Sequence, residues 1–403
     1  MQPRRMAFVL SILLGSCPFG FTTEIQASRP KVFILGINGA EWDILRPLLL
    51  RGELPNFAYL IDHGTSGKLK TISSPNCPKV YSIFETSKAP EENGITGFTV
   101  EGRTASTDML RAEPLWSILS RHGVTVGMAN VPATFPVQKV NGYMVSGMLT
   151  KGKTCEDGIL CAPKVSEVSG GKAIFPDSLL PQILEHVGDY RIDCARMPSS
   201  DELKGQAPQV IAAWLKQVQE IRAEQSKLFT YLLDSHPMDF TFFSQSCEDR
   251  VGHWLYPIEP FNVGYDPAVN GIERNAFPDQ YRALDKVIGI LLEHLSKNTT
   301  IILLSDHGIK PVRYPEDPHM LMDHGGTTPV IAKHDYSDGD EVPGIFVAMG
   351  PNIKQGLHLE GLEISAYDIA PTILSLYGIA PNSGMKGRAL SEIFNDSKPT
   401  QAR

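Results

Sequence analysis

The amino-acid sequence predicts an α/β fold, a mainly parallel sheet with helices on both faces. Three observations lead there. Short aliphatic runs at 31–37, 299–304 and 345–348 read as strands buried on both faces. Longer runs with apolar residues at helical spacing separate them, notably 207–233 and 278–297. Strand and helix signals alternate along most of the chain, the pattern left by crossover connections between parallel strands. The chain has 403 residues, 42% of them hydrophobic, enough for one large core or two ordinary ones.

Taken in order, the chain opens with a targeting segment. Arg4-Arg5 precede an apolar run at 6–15, too short to span a bilayer as a helix. Leu14-Gly15-Ser16-Cys17 resembles a lipobox, which would lipidate Cys17 and tether the chain to a membrane. Ile25-Gln26-Ala27 is a second, weaker processing site, because Ile25 is large. Residues 1–27 are read as signal. Residues 28–403 are read as an exported body that is periplasmic, outer-membrane-associated or secreted. The formal net charge is −8 and the body carries no Lys/Arg-dense segment, which argues against a nucleic-acid partner.

The strand 31–37 ends at Asn38-Gly39-Ala40, and a helix follows over 41–50. Asn56 caps a helix over 57–63 that Gly64 stops. Residues 75–87 form a loop entering a short helix. A helix at 114–122 leads to strands at 124–128 and 143–145. Residues 149–196 break the pattern with more Gly, Lys, Pro and Cys, and an inserted cap is expected over about 149–235. Within the helix 207–233, Val210, Ile211, Trp214, Val218, Ile221, Leu228 and Leu232 form a core stripe. A strand at 239–243, the late strand 345–348 and a helix from Ser365 to about 376 complete the body. Cys155 and Cys161 flank a short loop, and in an oxidising compartment that spacing favours a local disulfide. Cys77, Cys194 and Cys247 cannot be paired from the sequence.

Two places carry metal-binding chemistry. The strand 299–304 runs into Ser305-Asp306-His307-Gly308. Ligands of open α/β sheets bind outside the carboxyl ends of the strands, so Asp306 and His307 stand where a site is expected. A carboxylate and an imidazole there can both turn toward one divalent metal. Asp249 and His253 follow the strand 239–243 and, on a helix, share one face at i, i+4. Each pair alone has a plainer reading, as a turn-starting Asp or a surface helix pair. Two such pairs after two core strands favour metal.

The order of these motifs resembles the alkaline phosphatase superfamily, specifically its type I phosphodiesterase/nucleotide pyrophosphatase branch. The carriers are a strand ending Gly-Ile-Asn38-Gly39, a Pro-containing loop entering a helix, Asp249-x-x-x-His253, Ser305-Asp306-His307-Gly308 and a late strand ending Gly350-Pro351. Weaker echoes are Trp116-Ser117-Ile118-Leu119 and Tyr367-Asp368-Ile369-Ala370-Pro371-Thr372. The resemblance implies a phosphoester hydrolase acting on a small-molecule substrate with one or two divalent ions, zinc above all. It implies a hydroxyl nucleophile that binds one of those ions.

This chain departs from that pattern at the centre. Asn38 stands where the family has an Asp metal ligand, and an amide offers a carbonyl oxygen without charge. Counting back from Thr86 places Cys77 at the nucleophile position, whereas a one-residue gap selects Asn76. Asn93-Gly94-Ile95 replaces the family's His-Gly-Ile. For the last ligand, direct counting gives Asp340, with His324 and His334 as candidates if the loop is longer. The expected metal set is Asn38, Asp249, His253, Asp306, His307 and Asp340 or His324, with Cys77 catalytic. A sulfatase would need C-x-P-x-R, whereas Lys79 and Tyr81 follow Cys77 at those positions. Two functions are expected from this: a hydrolase with an altered centre, or an inactive relative that binds through the same pocket.

Overall fold

The computed structural model describes residues 29–153, 156, 161–168, 172–198, 202, 207–256, 275–311, 332–333, 342–359 and 361–395. In chain order the sheet strands are β1 (Lys31–Ile37), β2 (Thr65–Lys70), β3 (Val126–Asn130), β4 (Gly142–Gly147), β5 (Ile174–Phe175), β6 (Phe240–Gln245), β7 (Thr299–Leu304), β8 (Gly344–Met349), β9 (Leu357–His358) and β10 (Ile364–Ser365). Across the sheet they run β9-β2-β8-β7-β1-β6-β3-β4-β5, with β10 also beside β2. The central strands β7, β1, β6, β3 and β4 are parallel; β8 is antiparallel to both β7 and β2, and β5 is antiparallel to β4. A parallel centre with antiparallel edges is common in large mixed sheets.

The aliphatic runs form strands because both sheet faces are covered. Successive β1 side chains alternate between two cores. Phe33, Leu35 and Ile37 join the core that includes Leu45, Phe57, Ile221, Phe229 and Leu284. Val32 and Ile34 join the other, with Tyr81, Ile83, Trp116 and Ile373. The first core is built by helices α1 (Trp42–Leu50), α2 (Pro55–Asp62), α6 (Ala207–Ser235) and α8 (Ala276–His294), the second by α3 (Cys77–Thr86), α4 (Leu115–Arg121) and α9 (Ile369–Leu376). Two further helices are α5 (Leu179–His186) and α7 (Cys247–Leu255). In α6, Ile211, Trp214, Val218, Ile221, Leu228 and Leu232 are buried in the body's first core.

Strand β2 has no counterpart in the sequence reading. Thr-Ser-Gly-Lys-Leu-Lys contains one large apolar residue, and its pairing with β8 makes it a strand. For site placement, register matters most. Gly36 pairs with Leu304 of β7, and Ile37 pairs with Gln245 of β6. The three central strands therefore end level, and the segments that follow them meet at one edge.

Candidate active site

Gly39 is the pivot of that edge. Its φ is +73°, and a Cβ built there would lie 2.9 Å from the Asp249 Cα and 3.0 Å from Asp249 Oδ1. Only glycine combines that backbone with so close an approach. Its N–H donates to Asp306 Oδ1 at 3.3 Å. The Asp249 and Asp306 carboxylates thus flank one glycine. The next N–H, of Ala40, donates to Ser305 Oγ at 2.9 Å, and that hydroxyl donates to the His307 carbonyl at 2.6 Å. These bonds lock the Ser-Asp-His turn against the end of β1.

Asp306 and His307 are completely buried. His307 Nδ1 lies 3.1 Å from the Gly308 carbonyl, which can only accept, so Nδ1 carries a proton. His307 Nε2 sits 3.3 Å from Asp306 Oδ2 and 3.9 Å from Cys77 Sγ. Cys77, Asp306 and His307 offer three potential ligand atoms within 4.8 Å of one another. On the neighbouring helix α7, His253 Nε2 lies 3.4 Å from Asp249 Oδ1, and both residues are buried. The structure therefore brings together both predicted pairs.

A helix end gives Asn76 and Cys77 different surroundings. The Asn76 side chain accepts from the Lys79 N–H at 3.2 Å and caps α3, leaving Cys77 as the first helical residue, facing His307. Asn93 is a structural replacement. Its buried amide donates to Ser82 Oγ at 3.0 Å and to the Lys88 carbonyl at 3.1 Å, and its Oδ1 accepts from the Ile95 N–H at 2.8 Å. Asp340, His324 and His334 lie outside the described residues, as does Cys155. Cys161 is disulfide-bonded.

The residues present fit a divalent ion. Asn38 is fully buried, and among the described residues neither atom of its amide has a hydrogen-bond partner. An orphaned buried amide is costly and calls for a partner. Burial pushes the Cys77 thiol well above its usual value, and the Asp306 and Asp249 charges add to the rise. Burial also raises the Asp306 carboxyl; His307 opposes that rise and Asp249 adds to it. A cation between these groups reverses this logic, because it favours every charged donor.

The brace behind α7 was not legible in the sequence. Cys247, which sequence alone does not pair, is bonded to Cys194 across 53 residues. Arg250 makes a buried ion pair with Asp193 at 2.7 Å and donates to the Cys194 carbonyl at 3.1 Å. Ser246 Oγ donates to Asp193 Oδ1 at 2.6 Å. Glu248 pairs with buried Arg222, which also donates to Gln245 Oε1 at 3.1 Å. These contacts fix the helix that presents Asp249 and His253. Asp193→Ala strands the Arg250 guanidinium, and a loss of about 3–5 kcal/mol in unfolding free energy is expected. Denaturant titration checks it; a change below about 1 kcal/mol would refute the bracing role.

Glu41, beside the site, is also buried. Tyr256 donates to its Oε1 at 2.7 Å, and its own N–H donates to the Tyr281 hydroxyl at 3.1 Å. Burial pushes the carboxyl up to about 8; the Tyr256 hydrogen bond lowers it, Asp43 adds to the rise, and Lys310 opposes it. The folded chain then holds a proton that the unfolded chain releases near pH 4.5. Stability from this group is complete below 4.5 and falls as pH rises toward 8, by at most about 1.4 kcal/mol per pH unit. Glu41→Gln keeps the acceptor for Tyr256 and removes the titration. Melting temperature should therefore depend less on pH in the variant across that window, and equal pH slopes would refute the assignment.

A large, mainly parallel sheet covered by helices on both faces is an alkaline-phosphatase-like fold. The chain belongs to the type I phosphodiesterase / nucleotide pyrophosphatase family, whose sequence pattern matches residues 32–354. Among solved structures it resembles murine ectonucleotide pyrophosphatase / phosphodiesterase 5, solved as an inactive variant in complex with AMP. The TM-score is 0.54 at 13% identity, over 91% of this chain and 100% of the other. The human form gives 0.51 at 14% identity, over 91% and 100%. A 2-O GAG sulfatase gives 0.52 at 14% identity, over 90% of this chain and 74% of that one. Arylsulfatase K of Danio rerio is 26% identical over 187 residues, covering 45% of this chain and 30% of the relative, so the match spans less than a third of that protein.

Proposed function

We propose that the chain is an exported, divalent-metal-dependent phosphoester hydrolase of the phosphodiesterase or pyrophosphatase type, with an altered centre. The observation that carries this reading is the buried Cys77/Asp306/His307 cluster, set across Gly39 from the Asp249–His253 pair. In this reading Asp306, His307, Asn38 and Cys77 hold one ion, zinc being the best match to a mixed S, N, O set. Asp249 and His253, with Asp340 or His324, hold a second. A bound ion supplies Lewis-acid stabilisation of charge on a phosphoryl oxygen. The chain's own residues orient the donors: Gly308 fixes the His307 tautomer, Gly39 fixes Asp306, and the Cys194–Cys247 brace fixes Asp249.

The substrate in this reading is a small phosphoester, in line with the AMP complex of the murine relative. Export rests on the leader, with Cys17 as a lipidation site. Among the described residues no helix is long and apolar enough to cross a membrane.

The test is metal content per chain alongside turnover of a generic aryl phosphodiester, with an aryl sulfate in parallel because of the sulfatase likenesses. Bound metal with phosphodiester turnover supports the proposal. Bound metal without turnover of either ester selects the binding-protein reading. A chain that retains no divalent ion refutes the metal-dependent reading.

A further inference from the structure

We infer that Cys77 is a thiolate ligand of the first ion and makes that site selective for thiophilic divalent cations; this rests on the metal-dependent reading above. Four observations carry it. The first is separation. With zinc-type bond lengths, tetrahedral N and O ligands lie about 3.3 Å apart and S and N ligands about 3.6 Å apart. His307 Nε2 is 3.3 Å from Asp306 Oδ2 and 3.9 Å from Cys77 Sγ. Both separations are within a few tenths of an ångström of those values, and the third pair, Cys77 with Asp306, lies within 4.8 Å.

The second is the tautomer. Because Nδ1 donates to the Gly308 carbonyl, the neutral ring presents a lone pair from Nε2. Nε2 faces a carboxylate oxygen and a sulfur, so a cation placed between them would meet three donors at one point. The third is the Asn38 amide, fully buried at the same strand end, one residue before the N–H that Asp306 accepts. It supplies a neutral fourth donor. The fourth is position. Cys77 opens the ten-residue helix α3, whose N-terminus favours negative charge, and the Asn76 side chain occupies the cap without competing for the sulfur's place.

The donor set Cys, His, Asp and Asn carries at most two negative charges and one soft atom. Such a set suits zinc, cobalt(II) or cadmium, and leaves magnesium and calcium, which take oxygen ligands in larger number, poorly held. Binding forms the sulfur–metal bond as the thiol proton leaves to solvent. With its lone pair committed to the ion, the sulfur is held as a ligand and is withdrawn from nucleophilic work.

The experiment loads the full chain with cobalt(II), zinc or magnesium after chelation. Expected for wild type with cobalt is a sulfur-to-metal charge-transfer band in the near ultraviolet, absent in Cys77→Ser. Zinc affinity should fall at least tenfold in Cys77→Ser while magnesium affinity is unchanged. A second readout needs no variant: zinc should slow alkylation of the Cys77 peptide at least tenfold by mass spectrometry, and magnesium should not. Stoichiometric cobalt without the band, or equal alkylation with and without zinc, overturns the Cys77 inference and leaves the metal-dependent reading standing. No divalent ion on wild type overturns both.

Discussion

The Asn38→Asp/Cys77→Thr double variant is expected to hydrolyse an aryl phosphodiester at least roughly tenfold faster than wild type, about 1.4 kcal/mol of transition-state stabilisation. Asp at position 38 restores a charge that draws an ion to the centre and offsets its repulsion of a second one. Thr at position 77 replaces a committed sulfur with a hydroxyl whose proton a bound ion can displace near neutral pH. The two positions share one ion, so the double variant should exceed the sum of the singles. Position 38 is fully buried, and Asp306 and Asp249 already stand nearby. Without metal the added carboxylate is therefore unfavourable, and the variant's melting temperature should rise with zinc and fall with chelator. A double variant that folds and binds metal yet gains no activity would falsify the altered-centre reading. A drop in activity on Cys77→Thr alone, with wild type abolished by alkylation, would instead make Cys77 the working nucleophile.

Removing the Asp306 charge should have the opposite effect. In Asp306→Asn the side-chain oxygen can still accept from the Gly39 N–H, so the turn is retained while the anionic ligand is lost. Zinc affinity at the Cys77 cluster is expected to fall by more than the roughly 10–100-fold that loss of an outer-shell partner costs. His253→Ala should remove an ion from the α7 side and leave the cobalt–sulfur band intact. Elemental analysis and the cobalt spectrum of both variants separate the two sites. Unchanged metal content in both would exclude Asp306 and His253 as ligands.

Much of the fold and part of the site could be read from the chain. The strands β1, β7 and β8 announce themselves because both of their faces are buried, which leaves near-continuous apolar sequence, and β6 does so through its three phenylalanines. Asp306-His307 and Asp249-His253 were legible because local spacing puts each pair on one turn or one helix face. Strand β2 was not, since Thr65, Ser66 and Gly67 gain their strand conformation from β8 and carry little pattern of their own. The Asp193–Arg250 pair and the Cys194–Cys247 bond were hidden for the same reason. Their partners lie more than fifty residues apart, and no local periodicity links them.

Legible in the chain alone are the alternation of strands and helices, the two carboxylate–imidazole pairs, and Asn38 and Cys77 at their positions. These are properties of composition and short-range spacing. Folding adds that β1, β6 and β7 end level, that Gly39 lies between Asp249 and Asp306, and that Cys77 rather than Asn76 meets His307. Register, close backbone approach and the orientation of a helix end are set by non-local packing. A donor cluster a few ångströms across depends on all three.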